Sequence, residues 1–215
     1  AILKRSLEGN PNLIFSWAVW EPDAFDGRDA AFRNKPYHDA TGRFAPLFVR
    51  TDKGAMRSFS NNFEQESTAD FYFTPLRTKK EYVTEPTTLA ITGKQEDAVI
   101  MTSICIPIVS GDKAMGAVGH AFSGSSLATF MKDIKPYEGS YAILISNSGI
   151  RLYHPQVEQI GKLMGDDVPD QQKALLAAIK SGRPYGLTNN NLATGAVSYP
   201  SFAPVAIGTA EHTWS

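Results

Sequence analysis

The chain has 215 residues, 42% of them apolar and 20% charged, with 21 basic against 22 acidic side chains and a net charge of −1. That balance supports one large or two small folded units, and charge alone draws the protein neither to nucleic acid nor to an anionic membrane. No apolar run approaches the roughly 18 residues of a membrane span, and no secretory leader is visible.

In chain order, apolar residues at Ile2, Leu3, Leu7, Leu13, Ile14, Trp17, Ala18 and Trp20 have roughly helical spacing, with a break or kink at "GNPN" (9–12). The helix reads as already under way at the first residue, and "EHTWS" ends abruptly, so an excised piece of a longer protein is expected. The next 30 residues, rich in Pro, Gly and Asp, predict short helices and turns. Residues 57–69 are polar and predict a short helix or a loop. Strands are then predicted at 70–76, 82–90, 98–109 and 114–122, with turns at "TGK" (92–94) and "SGDK" (110–113). "SGSSLATFMKDI" starts a serine-capped helix. After a boundary near Pro136 to Gly139 the pattern recurs. "YAILISNSGIRLYH" predicts a hairpin, "QQKALLAAIKSG" a helix ended by glycine, and "GAVSYPSFAPVAIG" two more strands. The fold class is α+β with antiparallel sheets.

Chemical motifs are sparse. There is no glycine-rich phosphate loop, GxSxG or HExxH. His38, His120, His154 and His212 lack metal-ligand spacing. Ser103 and His120 could meet across adjacent strands, but nothing singles that pair out. Asp23, Asp26 and Asp29 fit turns and caps better than a calcium loop. Trp17, Trp20, Phe25 and Phe44 read as core anchors. Cys105, the one cysteine, reads as a buried strand hydrophobe without an internal disulfide.

The ordered blocks "WEPDAFDGRDA", "DATGRFAP", "ADFYFTPL", "YVTEPTT", "MTSICIPIVSGDKAMGAVG" and "YAILISNSGIRLYHP…IGKLMG" resemble the double Cache ligand-binding domains of bacterial chemoreceptors. The resemblance spans nearly the whole chain. It implies a long N-terminal helix followed by two stacked PAS-like modules: a stalk helix and connecting segment at 1–40, a membrane-distal ligand-binding module at 41–135, and a proximal module at 136–215. It further implies a non-enzymatic extracytoplasmic sensor, anchored in the bacterial inner membrane and homodimeric in the full receptor. The implied partner is a small molecule, with no cofactor, metal or nucleic acid. The same domain type also serves histidine kinases and cyclic-dinucleotide enzymes.

Amino-acid sensors of that family carry an arginine two residues before an aromatic pair. The pair here is Phe71-Tyr72, which puts Ala69 at the arginine position. The family's ammonium-holding aspartates fall on Ala121 and, in a Tyr-x-Asp pattern matched by Thr87 and Leu89, on Leu89. A desolvated carboxylate or ammonium needs charged partners that these residues do not supply. Strand alternation turns Gly119 and Ala121 toward the site, leaving room there, and His120 away from it. The expected ligand is therefore flat and largely uncharged, with a purine derivative as the leading class. The candidate contacts are Asp70, Phe71, Tyr72, Tyr82, Thr87, Thr102, Ser103, Ala121 and Ser123. Only one of Thr102 and Ser103 faces in, and Asp70 reads equally as a turn residue. The alternative, an organic acid, would need Arg43, Arg57 or Arg77.

Overall fold

The computed structural model describes residues 2–51, 54–57, 69–90, 98–165, 169–190 and 197–215. Helix α1 covers Ile2–Gly9, and β1 (Leu13–Trp20) follows it immediately. The expected helix through residue 20 is therefore corrected: it ends at "GNPN", where Pro11 has no N–H to continue it. The run "LIFSWAVW" is buried on both sides, which is what a central strand requires, and its continuous apolarity mimics a helical pattern. Arg50 closes the junction. Its guanidinium donates to the carbonyls of Leu13 and Asn10, both at 2.8 Å, and to that of Leu7, satisfying groups freed at the helix end.

Strands β2 (Leu47–Thr51), β3 (Gly54–Arg57), β4 (Tyr82–Val83), β5 (Thr87–Ala90), β6 (Ala98–Ser110) and β7 (Lys113–Ser123) complete a seven-stranded antiparallel sheet ordered β3-β2-β1-β7-β6-β4, with β5 also on β6. The β6–β7 hairpin turns at 110–113 as predicted. β1 lies between β2 and β7, so the sheet draws on residues 13–20 of the expected stalk segment. The loop expected at 57–69 and the turn at 92–94 fall almost entirely outside the described residues.

Residues 70–76, expected as a strand, begin helix α2 (Asp70–Thr78). Three consecutive aromatics read as β, yet Tyr72, Pro75 and Leu76 share one helical face, and Tyr72 is fully buried. Pro75 forfeits only the bond to Phe71. The helix stops where Lys79 turns left-handed (φ 57°) and its N–H reaches the Pro75 carbonyl.

α2 packs on one face of the sheet, over Phe15, Trp17, Val19, Leu47, Val49, Cys105, Ala117 and Ala121. The other face carries α1 at one end, through Leu7, Leu13 and Phe48. Next to that end it meets the C-terminal part of the chain through Val83, Leu152 and Trp214. Helix α3 (Gly124–Met131) starts as predicted, with the Ser123 hydroxyl accepting from the Ser126 N–H at 3.1 Å. The predicted hairpin forms as β8 (Leu144–Ile145) and β9 (Arg151–Tyr153), and α4 (Pro169–Lys180) follows. Four further two-residue strands close two short pairs: β10 (Tyr185–Gly186) with β13 (Ser201–Phe202), and β11 (Asn189–Asn190) with β12 (Val197–Ser198). No helix among the described residues is long and apolar enough to cross a membrane.

Candidate functional site

The seam between α2 and the sheet gathers most of the predicted site residues. Asp70 opens α2, Phe71 and Tyr72 follow it, and the register pairs Phe15 and Ser103 with Ala121. Ser103 thus shares the α2 face with Ala121, and its hydroxyl makes no hydrogen bond among the described residues. Phe71 meets the Trp17 ring edge-on at 5.0 Å.

The expectation that Gly119 and Ala121 leave room is corrected. A Cβ on Gly119 would lie 2.5 Å from the Trp17 ring, so that indole already occupies the space. Ala121 is 1% exposed within the same core cluster as Tyr72. Ala69, at the start of α2, is likewise 1% exposed. The seam is therefore close-packed at Ala69 and Ala121, whereas Leu89, the third position aligned with a charged anchor, is 40% exposed.

Its polar end is an acid–phenol pair. The Tyr82 hydroxyl donates to Asp70 Oδ2 at 2.7 Å, and the Phe71 N–H donates to Oδ1 at 2.8 Å. Burial and then the Asp70 bond push the Tyr82 phenol well above its ordinary range. Burial likewise raises the Cys105 thiol, with the Asp70 charge adding to it. At the other end, the Tyr72 hydroxyl donates to Glu21 and accepts from Arg43, whose guanidinium also pairs with Glu21 at 3.0 Å and lies 5.0 Å over the Tyr72 ring. Burial, followed by the Glu21 bond, raises the Tyr72 phenol.

Three predicted residues sit elsewhere. Thr102 points to the opposite face, where its hydroxyl donates to the Thr84 carbonyl at 2.7 Å. Thr87 pairs with Met101 and is exposed. Ser123 spends its hydroxyl on the α3 cap and on Ser125 and Ser126, both at 2.8 Å. His120 pairs with Ser16 on the face away from α2, as alternation requires, and burial lowers its pKa. Trp17, Glu21 and Arg43 shape the seam; of these the sequence points only to Arg43, as a candidate anchor for an organic acid. Once 13–20 is read as a strand, alternation places Trp17 on the Phe15 face; nothing in the sequence ties Arg43 to Tyr72. Asp23 and Asp29 bond each other's backbone N–H at 2.7 and 3.0 Å, a turn-forming role. Among the described residues no three His, Cys, Asp or Glu side chains cluster as a metal site.

Residues 1–129 match the family model described as methyl-accepting chemotaxis protein-like, first PDC sensor domain. The chain is 30% identical to the extracellular domain of mmHK1S-Z3, which carries a histidine-kinase assignment; the match covers 94% of this chain and 72% of that one, with a TM-score of 0.78. Methyl-accepting chemotaxis protein X matches at 24% identity, 99% and 76% coverage and a TM-score of 0.73. The periplasmic sensory domain of the Campylobacter jejuni chemoreceptor Tlp1 shares the fold at 18% identity, 99% and 74% coverage and a TM-score of 0.66. Among curated protein sequences no relative is found. With its sheet, its α2 seam and a family match over more than half its length, the chain belongs to the methyl-accepting chemotaxis protein-like PDC (Cache-type) sensor domains.

Proposed function

We propose that this domain binds one small, flat, largely uncharged metabolite at the α2 face of the seven-stranded sheet, with a purine derivative as the leading class. The carrying observation is the pair Ala69 and Ala121, each 1% exposed in the seam. A desolvated carboxylate or ammonium there would meet methyl groups. Phe71 and Trp17 offer aromatic surface for a planar ring, and Asp70, Tyr82 and Ser103 offer hydrogen bonds. Of the arginines that the organic-acid alternative could use, Arg43 is committed to Glu21, Tyr72 and the Trp20 carbonyl.

In this reading residues up to about 135 form the membrane-distal binding module, and 136–215 form a proximal module that transmits without binding. The family match ending at residue 129 supports that division. The full receptor is anchored in the bacterial inner membrane, works as a homodimer, and signals by a shift between two arrangements of the modules. A histidine-kinase output is the second reading, favoured by the 30% identity to mmHK1S-Z3.

A thermal-shift screen against nucleobases, amino acids, polyamines and dicarboxylates tests the ligand class. A compound at 100 times its dissociation constant stabilises the fold by about 2.7 kcal/mol. The expected result is a rise with hypoxanthine, guanine or adenine alone. A rise with amino acids or succinate and none with purines overturns the proposal.

A further inference from the structure

Asp70 is a half-buried carboxylate that pairs with no cation among the described residues. A carboxylate offers about four acceptor positions. Two are taken here, one on each oxygen, by the Phe71 N–H and the Tyr82 hydroxyl, and both donors are neutral. The group therefore keeps acceptor capacity on both oxygens together with an unneutralised charge. Tyr82 pairs with Cys105 across the β4–β6 ladder, so Asp70 is held over the strand that also carries Ser103. Burial raises the acidic groups of Tyr82 and Cys105 most, and Asp70 adds to both. An anion in a half-desolvated setting repels a carboxylate and is strongest with a charge-assisted, two-pronged N–H partner.

We infer that Asp70 is the specificity-determining group of this seam, selecting a ligand edge that presents two adjacent N–H donors and rejecting carboxylates. Among purines the 2-amino-6-oxo edge, with its ring N1–H beside the exocyclic amine, has that geometry. The inference rests on the proposed α2-face site and narrows its ligand to a guanine-type base. Tyr82 acts as a positioning residue, fixing the carboxylate through Oδ2.

The test is a fluorescence titration of the wild-type domain and of Asp70→Asn with guanine, 1-methylguanine, adenine, putrescine and succinate. Asn keeps the shape but replaces one acceptor by a donor. Guanine is expected to bind the wild type, and to bind Asp70→Asn at least tenfold more weakly. 1-Methylguanine, which lacks the ring donor, is expected to lose a similar factor on the wild type, so the test stands even if the variant does not fold. Guanine binding that stays within twofold in both arms overturns the inference and leaves the purine reading intact, as does adenine binding that ignores Asp70. Putrescine binding that is lost in Asp70→Asn supports the role of Asp70 and overturns the purine reading. Succinate binding, or no binding by any of these probes, overturns both.

Discussion

A methyl group at position 121 faces Phe15, Trp17 and Tyr72 with 1% of its surface exposed. A carboxylate placed there would lose its water and gain only apolar neighbours. Ala121→Asp is therefore expected to destabilise the domain by about 3 kcal/mol or more, the usual cost of an uncompensated buried charge, measured by urea unfolding. A change below about 0.5 kcal/mol, within the range of surface substitutions, would show that position 121 opens onto solvent instead. Ala69 is equally enclosed, so the absence of charge at both positions is a property of the packing. Asp70 lies one residue further on and is the exception, half-buried and ready to accept.

At the scale of elements, α2 is held to the sheet by the Tyr72 hydroxyl, through its bonds to Glu21 and Arg43. Tyr72→Phe should cost about 2 kcal/mol at neutral pH, because hydrogen bonds to charged groups carry roughly that value. The folded-state pKa of Tyr72 is raised, so its contribution is complete below the ordinary value of 10 and is lost as pH rises through the higher folded value. Wild-type stability should fall steeply above pH 10, and Tyr72→Phe should fall less steeply. Parallel slopes in denaturant titrations would place the alkaline loss elsewhere.

The same element shows what the sequence revealed and what it did not. The β6–β7 hairpin, the Ser123 cap and α4 were legible because apolar runs on either side of a glycine turn, a serine cap and helical spacing are local signals. β1 and α2 were not. β1 is apolar on both faces because helices and loops cover both sides of the sheet, and that pattern fits a helix equally well. α2 carries β-favouring aromatics that long-range packing overrides. Within the candidate site, the Asp70–Tyr82 and Tyr72–Arg43 pairs span 12 and 29 residues, separations at which no spacing rule operates.

At the scale of the whole molecule, the segment from Lys80 to Glu85 joins the α2 seam to the C-terminal part of the chain. Tyr82 holds Asp70 on one side of the sheet, while Val83 packs with Leu152 and Trp214 on the other. Glu81 accepts from the Thr209 N–H at 2.6 Å, Lys80 pairs with Glu211 at 2.7 Å, and Glu85 accepts from Ser148. Gly208 approaches Glu81 so closely that a Cβ there would lie 1.9 Å from its carboxylate. The segment whose Tyr82 holds Asp70 is thus tied directly to Gly208, Thr209 and Glu211.

The most direct check of the account is a calorimetric titration of guanine into the wild-type domain and into Phe71→Ala. A 1:1 isotherm is expected, with a negative heat-capacity change from apolar burial, and at least a tenfold loss of affinity when the Phe71 ring is removed. Guanine that gives no heat, or that binds both proteins equally, would contradict a purine site at the α2 face.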